Sequence, residues 1–257
     1  MGASQRHVVV TGAGTGIGRA IALRLAGKDV SLGLVARDSK RLEATAELVR
    51  ARGARATALA CDIRDRAAVD AAFNALARAH GPLHVLVANA GIGGPNEPGA
   101  RDRFDELVAT NLAGTYSCLR AAERHLAAGP GARHLVVVSS ILARIGVAGY
   151  TGYCASKAGL LGLVRALAME LAPRNVQVNA VCPGWVDTEM AREGIEGIAR
   201  ATGTSAAKAR EIAMEDVPLR RMAEPDDVAG LVAWLVSPDA RGVTGQGLDL
   251  NGGAFMH

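Results

Sequence analysis

Tyr153 and Lys157 stand four residues apart at the end of a run, 139–157, that also holds the serines Ser139 and Ser140. On a helix that spacing puts both side chains on one face, one above the other. A phenol keeps its proton near neutrality, with a pKa of about 10. An ammonium held close favours the phenolate and lowers that value. Bringing it to about 7 takes roughly 4 kcal/mol of differential interaction, at about 1.4 kcal/mol per unit. One cation ~4 Å away, at an effective dielectric of ~20, supplies that order. A tyrosine so placed gives a proton to a carbonyl oxygen, or takes one from an alcohol, near pH 7. Ser140 lies thirteen residues upstream, where its hydroxyl could hold the same oxygen. By itself Tyr-x-x-x-Lys is equally an ordinary pair of helical neighbours. The chemistry therefore depends on what the rest of the chain supplies.

The elements that must position this run alternate. A short β-branched stretch, 7–10, ends in Thr11-Gly12-Ala13-Gly14-Thr15-Gly16-Ile17-Gly18 and is followed by the helical pattern of Ala20, Ile21, Leu23 and Leu25. A glycine-rich turn between a strand and a helix brings bare N–H groups and the positive helix end toward a phosphate. A second strand, 30–35, closes at Ala36-Arg37-Asp38. That place commonly carries an acid for a ribose 2′-hydroxyl. Here the guanidinium of Arg37 suits a 2′-phosphate instead, although a solvated charge at a helix start would look the same. Further strands are expected at 54–60, 83–88, 134–138, 176–181 and 248–250. Helices are expected at 40–52, 66–80, about 102–128, around Tyr153, and 225–236, with a loose segment at about 186–217. This alternation predicts one α/β domain over residues 1–257, a parallel sheet covered on both faces.

Composition excludes several classes. Nearly half of the 257 residues are hydrophobic and only 3% are aromatic, and the net charge is +4. Arginines are scattered, without a dense basic run, so nucleic-acid binding is not expected and an anionic cofactor or substrate is enough to explain the bias. Cys61, Cys118, Cys154 and Cys182 lack Cys-x-x-Cys spacing, and the histidines form no His-Glu-x-x-His, so no metal site is expected. The cysteines fit reduced core residues of a cytoplasmic protein. With a strand starting by His7 there is no room for a signal peptide. The apolar helix 158–171 is broken by Arg165 and Glu170, which argues against a membrane span.

With these residues in place, the sequence resembles the short-chain dehydrogenase/reductase family over essentially its whole length. The matching pieces stand in the family's order: Thr11-Gly12-x-x-x-Gly16-Ile17-Gly18, Asp62, Asn89-Ala90-Gly91, Asn111, Ser140, Tyr153-x-x-x-Lys157 and Pro183-Gly184. The resemblance implies a single-domain Rossmann fold with seven parallel strands, a nicotinamide cofactor and a homotetramer, with a dimer as the alternative. It implies that Tyr153 is the acid/base, that Lys157 lowers its pKa and binds the nicotinamide ribose, and that Ser140 orients the substrate oxygen. Asn111 would help hold a water leading from Lys157 to solvent. The turn residues Gly12, Thr15, Gly16, Ile17 and Gly18 would hold the cofactor. Asp62, Ile63, Asn89, Ala90 and Gly91 would surround its adenosine half, and Pro183, Gly184, Val186 and Thr188 would meet the carboxamide and pyrophosphate. Arg37 resembles the NADP-preferring branch, so NADPH/NADP+ is expected. Asp38 next door could instead reach the ribose hydroxyls and favour NAD.

The motif Cys182-Pro183-Gly184-Trp185-Val186-Asp187-Thr188 and the closing Asn251-Gly252-Gly253 resemble bacterial 3-oxoacyl-thioester and polyketide ketoreductases. A pocket walled by 92–98, 141–150 and 186–214 would be mainly apolar, through Ile141, Leu142, Ile145, Val147, Trp185 and Met190, unless these residues only pack. Arg101, Arg103, Arg144 and Arg192 could greet a charged acyl carrier, or simply aid solubility. The expected activity is hydride transfer between NADP(H) and a ketone or secondary alcohol, with a 3-oxoacyl thioester as the expected substrate. An NAD-dependent alcohol, sugar or steroid dehydrogenase is the alternative within the family. A non-catalytic cofactor-binding regulator is the alternative of another class. The apolar surface of Leu160, Leu161, Leu163, Val164, Leu167, Met169 and Leu171 is too wide for one sheet-facing stripe, which predicts a second subunit against it.

Overall fold

Alternating strand and helix signals in the chain fold into a single sheet in the computed structural model, which describes residues 6–256. The strands are β1 (Arg6–Thr11), β2 (Val30–Ala36), β3 (Arg55–Ala60), β4 (Val85–Ala88), β5 (Arg133–Val138), β6 (Val176–Pro183) and β7 (Gly247–Leu250). They are all parallel, in the order β3-β2-β1-β4-β5-β6-β7. The strand order reverses between β1 and β4, and a crevice opens there at the carboxyl ends, the place where open α/β sheets bind ligands.

Both faces are covered, as the alternation predicts. Successive strand residues point to opposite faces, and β1 shows it plainly. Val8 and Val10 pack with α1 (Gly16–Leu25), α2 (Ser39–Ala51) and α9 (Pro225–Leu235), through Ile21, Leu42 and Val228. Val9 packs the other way, with α3 (Arg66–His80), α5 (Thr115–Arg124) and α6 (Thr151–Leu171), through Phe73, Leu76, Leu119, Leu160 and Val164. Small residues permit the close approach. A Cβ on Gly33 of β2 would lie 2.6 Å from Leu76 Cδ1.

Two expectations need correction. The segment expected to be loose at 186–217 holds two helices, α7 (Glu189–Thr202) and α8 (Ala206–Glu215). The polar outer faces of these helices obscure their signal, while Ile195, Ala209, Met214 and Val217 form a small core of their own with Trp185 against it. The long helix expected at 102–128 is instead α4 (Phe104–Val108), a π-helical turn at Ala109–Gly114, and α5. A π turn inserts an extra residue into the helical ladder, and such turns concentrate at functional sites. Asn111 sits inside this one.

The amino-terminal edge of the sheet, opposite the crevice, collects histidines. His7 lies at the start of β1, His84 just before β4, His134 in β5 and His80 at the end of α3. The His7 N–H donates to His84 Nδ1 at 3.1 Å, and the His7 and His80 rings meet edge to face at 5.2 Å.

Candidate active site

The turn after β1 forms a cradle of main chain. Gly12 and Gly16 have φ of 66° and 50°, the left-handed region that favours glycine. A Cβ on Gly18 would fall inside contact distance of the Gly12 carbonyl oxygen and 2.5 Å from Asn89 Nδ2. Thr15 stands at the N-cap of α1 without a side-chain cap bond, and no acid occupies the first turn. The first amides of α1 therefore face the crevice with no carboxylate against them, which suits a phosphate. Ile17 is half-buried and packs on the α1 side of the sheet.

Across the strand-order reversal, β4 is tied to the same turn. The Thr11 hydroxyl accepts from the Asn89 and Ala90 N–H groups, each at 3.1 Å. Asn89 Nδ2 donates to the Thr11 carbonyl at 3.0 Å. Gly91 is needed bare, because a Cβ there would lie 3.1 Å from Asn111 Oδ1 and 3.5 Å from Lys157 Nζ.

At the end of β2, Arg37 is exposed, while Asp38 is engaged elsewhere. Asp38 caps α2 by accepting the Arg41 N–H at 2.9 Å, and its other oxygen lies 3.5 Å from Arg41 Nε. At the end of β3, Asp62 is held by Arg64 through a 2.6 Å ion pair, and this guanidinium keeps its carboxyl below the usual range. Ile63 is buried and fills the space against Gly114.

Three elements converge on the tyrosine. β5 delivers Ser139 and Ser140 at its carboxyl end, α6 carries Tyr153 and Lys157, and the π-helical turn brings Asn111. Ser140 beside the phenol pulls the Tyr153 pKa down. Ser139 donates to the Lys157 carbonyl at 2.9 Å, and Lys157 Nζ donates to the Val138 carbonyl at 3.0 Å. The ammonium lies 5.7 Å from the Tyr153 ring centroid. Asn111 Nδ2 donates to the Ile92 carbonyl at 3.0 Å and to Ser156 Oγ at 3.2 Å, while its Oδ1 accepts the Ile92 N–H at 2.8 Å. Its side chain thus anchors the loop after β4 to α6.

The expected direction of the Tyr153 shift is corrected. Burial is the largest influence and holds its pKa above the ordinary phenol value, against the pull of Ser140. Burial also lowers Lys157, from 10.5 to about 8. Desolvation penalises the charged form of each group, and it is the largest cause of both shifts.

The fourth wall follows β6. Pro183 is buried, and Gly184 must be bare because a Cβ would lie 3.0 Å from Asn251 Cα. Val186 is buried and bridges to Ala223. Thr188 caps α7, accepting the Ala191 N–H at 3.3 Å, and its Cγ2 would lie 3.2 Å from a Cβ on Gly16. The cradle and α7 therefore close on each other.

A family model described as enoyl-(acyl carrier protein) reductase matches residues 12–254. The chain is 34% identical over 255 residues to the 3-oxoacyl-[acyl-carrier-protein] reductase FabG of Staphylococcus aureus (strain N315), covering 98% of each. The chain belongs to the short-chain dehydrogenase/reductase family. Among solved members, a variant of actinorhodin polyketide ketoreductase with NADPH aligns with a TM-score of 0.90 at 34% identity, covering 97% of each chain. A short-chain dehydrogenase from Burkholderia cenocepacia J2315 in complex with NADP aligns with a TM-score of 0.85 at 35% identity, covering 98% of each.

As a short-chain dehydrogenase/reductase, the chain carries the motif residues of the expected site at the carboxyl ends of its strands, at the start of α1, on α6 and, for Asn111, in the π-helical turn before α5. The expected carrier-facing arginines are largely engaged inside the molecule. Arg144 Nη2 donates to the Gly247 carbonyl at 2.8 Å, and its Nε lies 3.4 Å from Asp249. Arg103 pairs with Glu106 at 2.8 Å, and Arg192 with Asp187 at 3.1 Å. Arg101 is exposed. Of the expected apolar wall, Ile145, Val147 and Met190 are exposed large hydrophobics, whereas Ile141 is buried and Trp185 packs against the small core of α7 and α8. A Cβ on Gly93 would lie 2.8 Å from Met190 Sδ, so the loop after β4 and α7 touch across the mouth. A separate cavity of about 620 Å³ shares only Trp185 with the expected walls and runs along 217–223 and 249–253.

Sequence reasoning missed Val138 and Ser156 as parts of the site, and it named Thr11 and Ser139 without giving them a role. Thr11 opens the glycine motif and Ser139 adjoins Ser140. Val138 acts through its carbonyl, which carries no residue-type signal at all.

Proposed function

We propose that this protein is an NADPH-dependent ketoreductase acting on a 3-oxoacyl thioester or a similar apolar ketone, with Tyr153 as the acid. The observation that carries this reading is Tyr153 on α6, with Ser140 beside it at the end of β5 and the buried ammonium of Lys157 one helical turn away, next to a glycine cradle suited to phosphate. Bound NADPH supplies the hydride. Gly12, Thr15, Gly16, Ile17 and Gly18 would hold its pyrophosphate. Arg37 would face the 2′-phosphate, with Asp38 held on the α2 cap. Asp62, Ile63, Asn89, Ala90 and Gly91 would border the adenosine, and Pro183, Gly184, Val186 and Thr188 the nicotinamide side.

Ser140 holds the substrate oxygen against the phenol, and Tyr153 passes its proton to that oxygen as negative charge develops. A phenol whose burial keeps it protonated is a ready donor at neutral pH, and developing alkoxide accepts from it. Lys157 keeps a positive charge behind the phenol, so the phenolate left after transfer is stabilised. Asn111 holds the loop after β4 in place beside that lysine. The exposed Ile145, Val147 and Met190 support an apolar acyl chain.

We also propose a homotetramer of single-domain subunits in the cytoplasm. The argument from the width of α6 is narrower than expected. Leu160, Leu161, Val164, Leu167 and Leu171 are buried within the subunit and Leu163 is half-buried, which leaves Met169 at 80% exposed. Trp234 on α9 is 39% exposed, and subunits against α6 and against α9 would cover these two side chains. A monomer mass in light scattering would overturn the assembly.

The deciding experiment is a carbonyl-substrate panel followed by loss of NADPH absorbance, repeated with Tyr153→Phe. Turnover should fall at least a thousandfold in the variant, on the order of 4 kcal/mol in the barrier, while NADPH still binds. Retention of a tenth of the activity would assign the proton to another group.

A further inference from the structure

Tyr153 lies in the first turn of α6, and that turn has no cap from its own neighbours. Tyr150 stands at the N-cap and makes no side-chain cap hydrogen bond, and the first turn contains no acid. The first N–H groups of a helix have no intrahelical acceptors. Here the acceptor arrives from 56 residues upstream: Asn96 Oδ1 takes the Gly152 N–H at 2.8 Å. Asn96 is only 5% exposed, in the loop after β4. Its Oδ1 also accepts the Thr151 hydroxyl at 3.2 Å, and its Nδ2 lies 2.9 Å from Thr151 Oγ1. Nδ2 further donates to Asp102 Oδ1 at 3.1 Å, and that oxygen accepts the Phe104 N–H at the start of α4. The main chain joins in, since the Asn96 N–H donates to the Gly149 carbonyl at 2.8 Å. Gly152 has to be bare for this arrangement, because a Cβ would lie 3.1 Å from Phe104 Cα and 3.3 Å from Asn96 Oδ1.

We infer that Asn96 is a positioning residue for Tyr153, pinning the first turn of α6 to the loop after β4 and to the start of α4. The inference rests on the reading of Tyr153 as the acid. The requirement is for an amide in particular. One end must accept from Gly152 while the other donates to a carboxylate, and among uncharged side chains of this length only Asn does both. A shift of the first turn moves the phenol relative to Ser140, which β5 delivers from a different element. Misplacement of a reacting group by about 1 Å can cost on the order of a hundredfold in rate.

The test uses Asn96→Asp, Asp102→Ala, and the double variant Asn96→Asp with Asp102→Asn, alongside Tyr153→Phe. Asn96→Asp keeps the acceptor for Gly152 but sets a carboxylate against Asp102. Its kcat should fall ten- to a hundredfold at pH 7.5, with NADPH affinity by fluorescence titration within about twofold of wild type. Relative to wild type, its kcat should recover as pH falls toward about 5.5, where the two carboxylates share a proton. The double variant, with donor and acceptor exchanged, should regain most of the activity at pH 7.5. Asp102→Ala, at an exposed position that folding tolerates, should lower kcat a few-fold with unchanged NADPH affinity. The inference is overturned if Asn96→Asp, or Asp102→Ala where that variant does not fold, turns over like wild type. It is equally overturned if the loss is independent of pH and the double variant does not relieve it. An active Tyr153→Phe sinks the assignment of the acid and this inference with it. An inactive Tyr153→Phe beside a normal Asn96→Asp sinks the inference alone.

Discussion

Lys157 Nζ donates to the main-chain carbonyl of Val138 at 3.0 Å, so the catalytic helix and the end of β5 share one buried cation. Lys157 is 5% exposed, and burial lowers its pKa from 10.5 to about 8. Between those values the folded protein binds fewer protons than the unfolded chain, so stability rises with pH across that window. Below it both states carry the charge, and burying it costs about 3 kcal/mol at most. Lys157→Met should therefore raise the urea midpoint at pH 7 while abolishing turnover. In the wild type, kcat/KM for carbonyl reduction should decline as pH rises through about 8. A profile flat from pH 7 to 9.5 would show that the charge on Lys157 is not required.

Arg37 and Asp38 make opposite claims on the cofactor, and the fold favours Arg37. Asp38 is held on the α2 cap by Arg41 and Arg37 is exposed, so on the proposed reading Arg37 is the residue that faces the 2′-phosphate. A charge-assisted contact of this kind is worth roughly 1.5–3 kcal/mol, or about ten- to a hundredfold in preference. The ratio of kcat/KM for NADPH over NADH should be well above one in the wild type and collapse in Arg37→Ala. Preference for NADH at the start, or an unchanged ratio in the variant, would refute this.

Gly18 and Gly27 are sharply different glycines near the two ends of α1. An added Cβ at Gly18 would strike the Gly12 carbonyl and Asn89, whereas at Gly27 it would meet nothing within 4 Å. Gly18→Ala should cost about 3 kcal/mol or more and abolish NADPH binding, because main chain cannot give way there. Gly27→Ala should be neutral or stabilise by roughly 0.4–1 kcal/mol through the unfolded chain. Urea midpoints and fluorescence titration of NADPH compare the two, and equal effects would contradict the packing.

The buried histidines below the sheet should make the fold sensitive to mild acid. Burial lowers His7 and His134 to about 4, with the neighbouring His80 and His84 opposing a charge on His7 and Arg6 opposing one on His134. Burial also lowers His80 and His84, the latter beside Arg6 and Arg133. Well above pH 6.5 these groups are neutral in both states and contribute no pH dependence. As pH falls from 6.5, the unfolded chain takes up protons that the folded one refuses, and stability is lost. Between pH 6.5 and 5 the loss should be about 2 kcal/mol for each of His7 and His134. The slope of the urea midpoint against pH in that window should flatten in His7→Gln with His134→Gln. An unchanged slope would assign the acid sensitivity to other groups.

Much of this molecule was written in local pattern. The alternation of strand and helix, the glycine turn after β1, and Tyr153 one helical turn from Lys157 all follow from steric freedom and from periods of two and 3.6 residues, which neighbouring residues set by themselves. What only the tertiary structure decided are quantities that depend on distant partners. The direction of the Tyr153 shift turned on how completely the folded chain buries the phenol, since desolvation is a property of the surroundings and not of a spacing. The carbonyl of Val138 met Lys157 only when α6 docked at the end of β5, and the amide of Asn96 met Gly152 only when the loop after β4 reached the start of α6. The helices α7 and α8 were hidden for a related reason. Their few apolar residues have meaning only against Trp185 and Val217, which the chain brings to them from elsewhere.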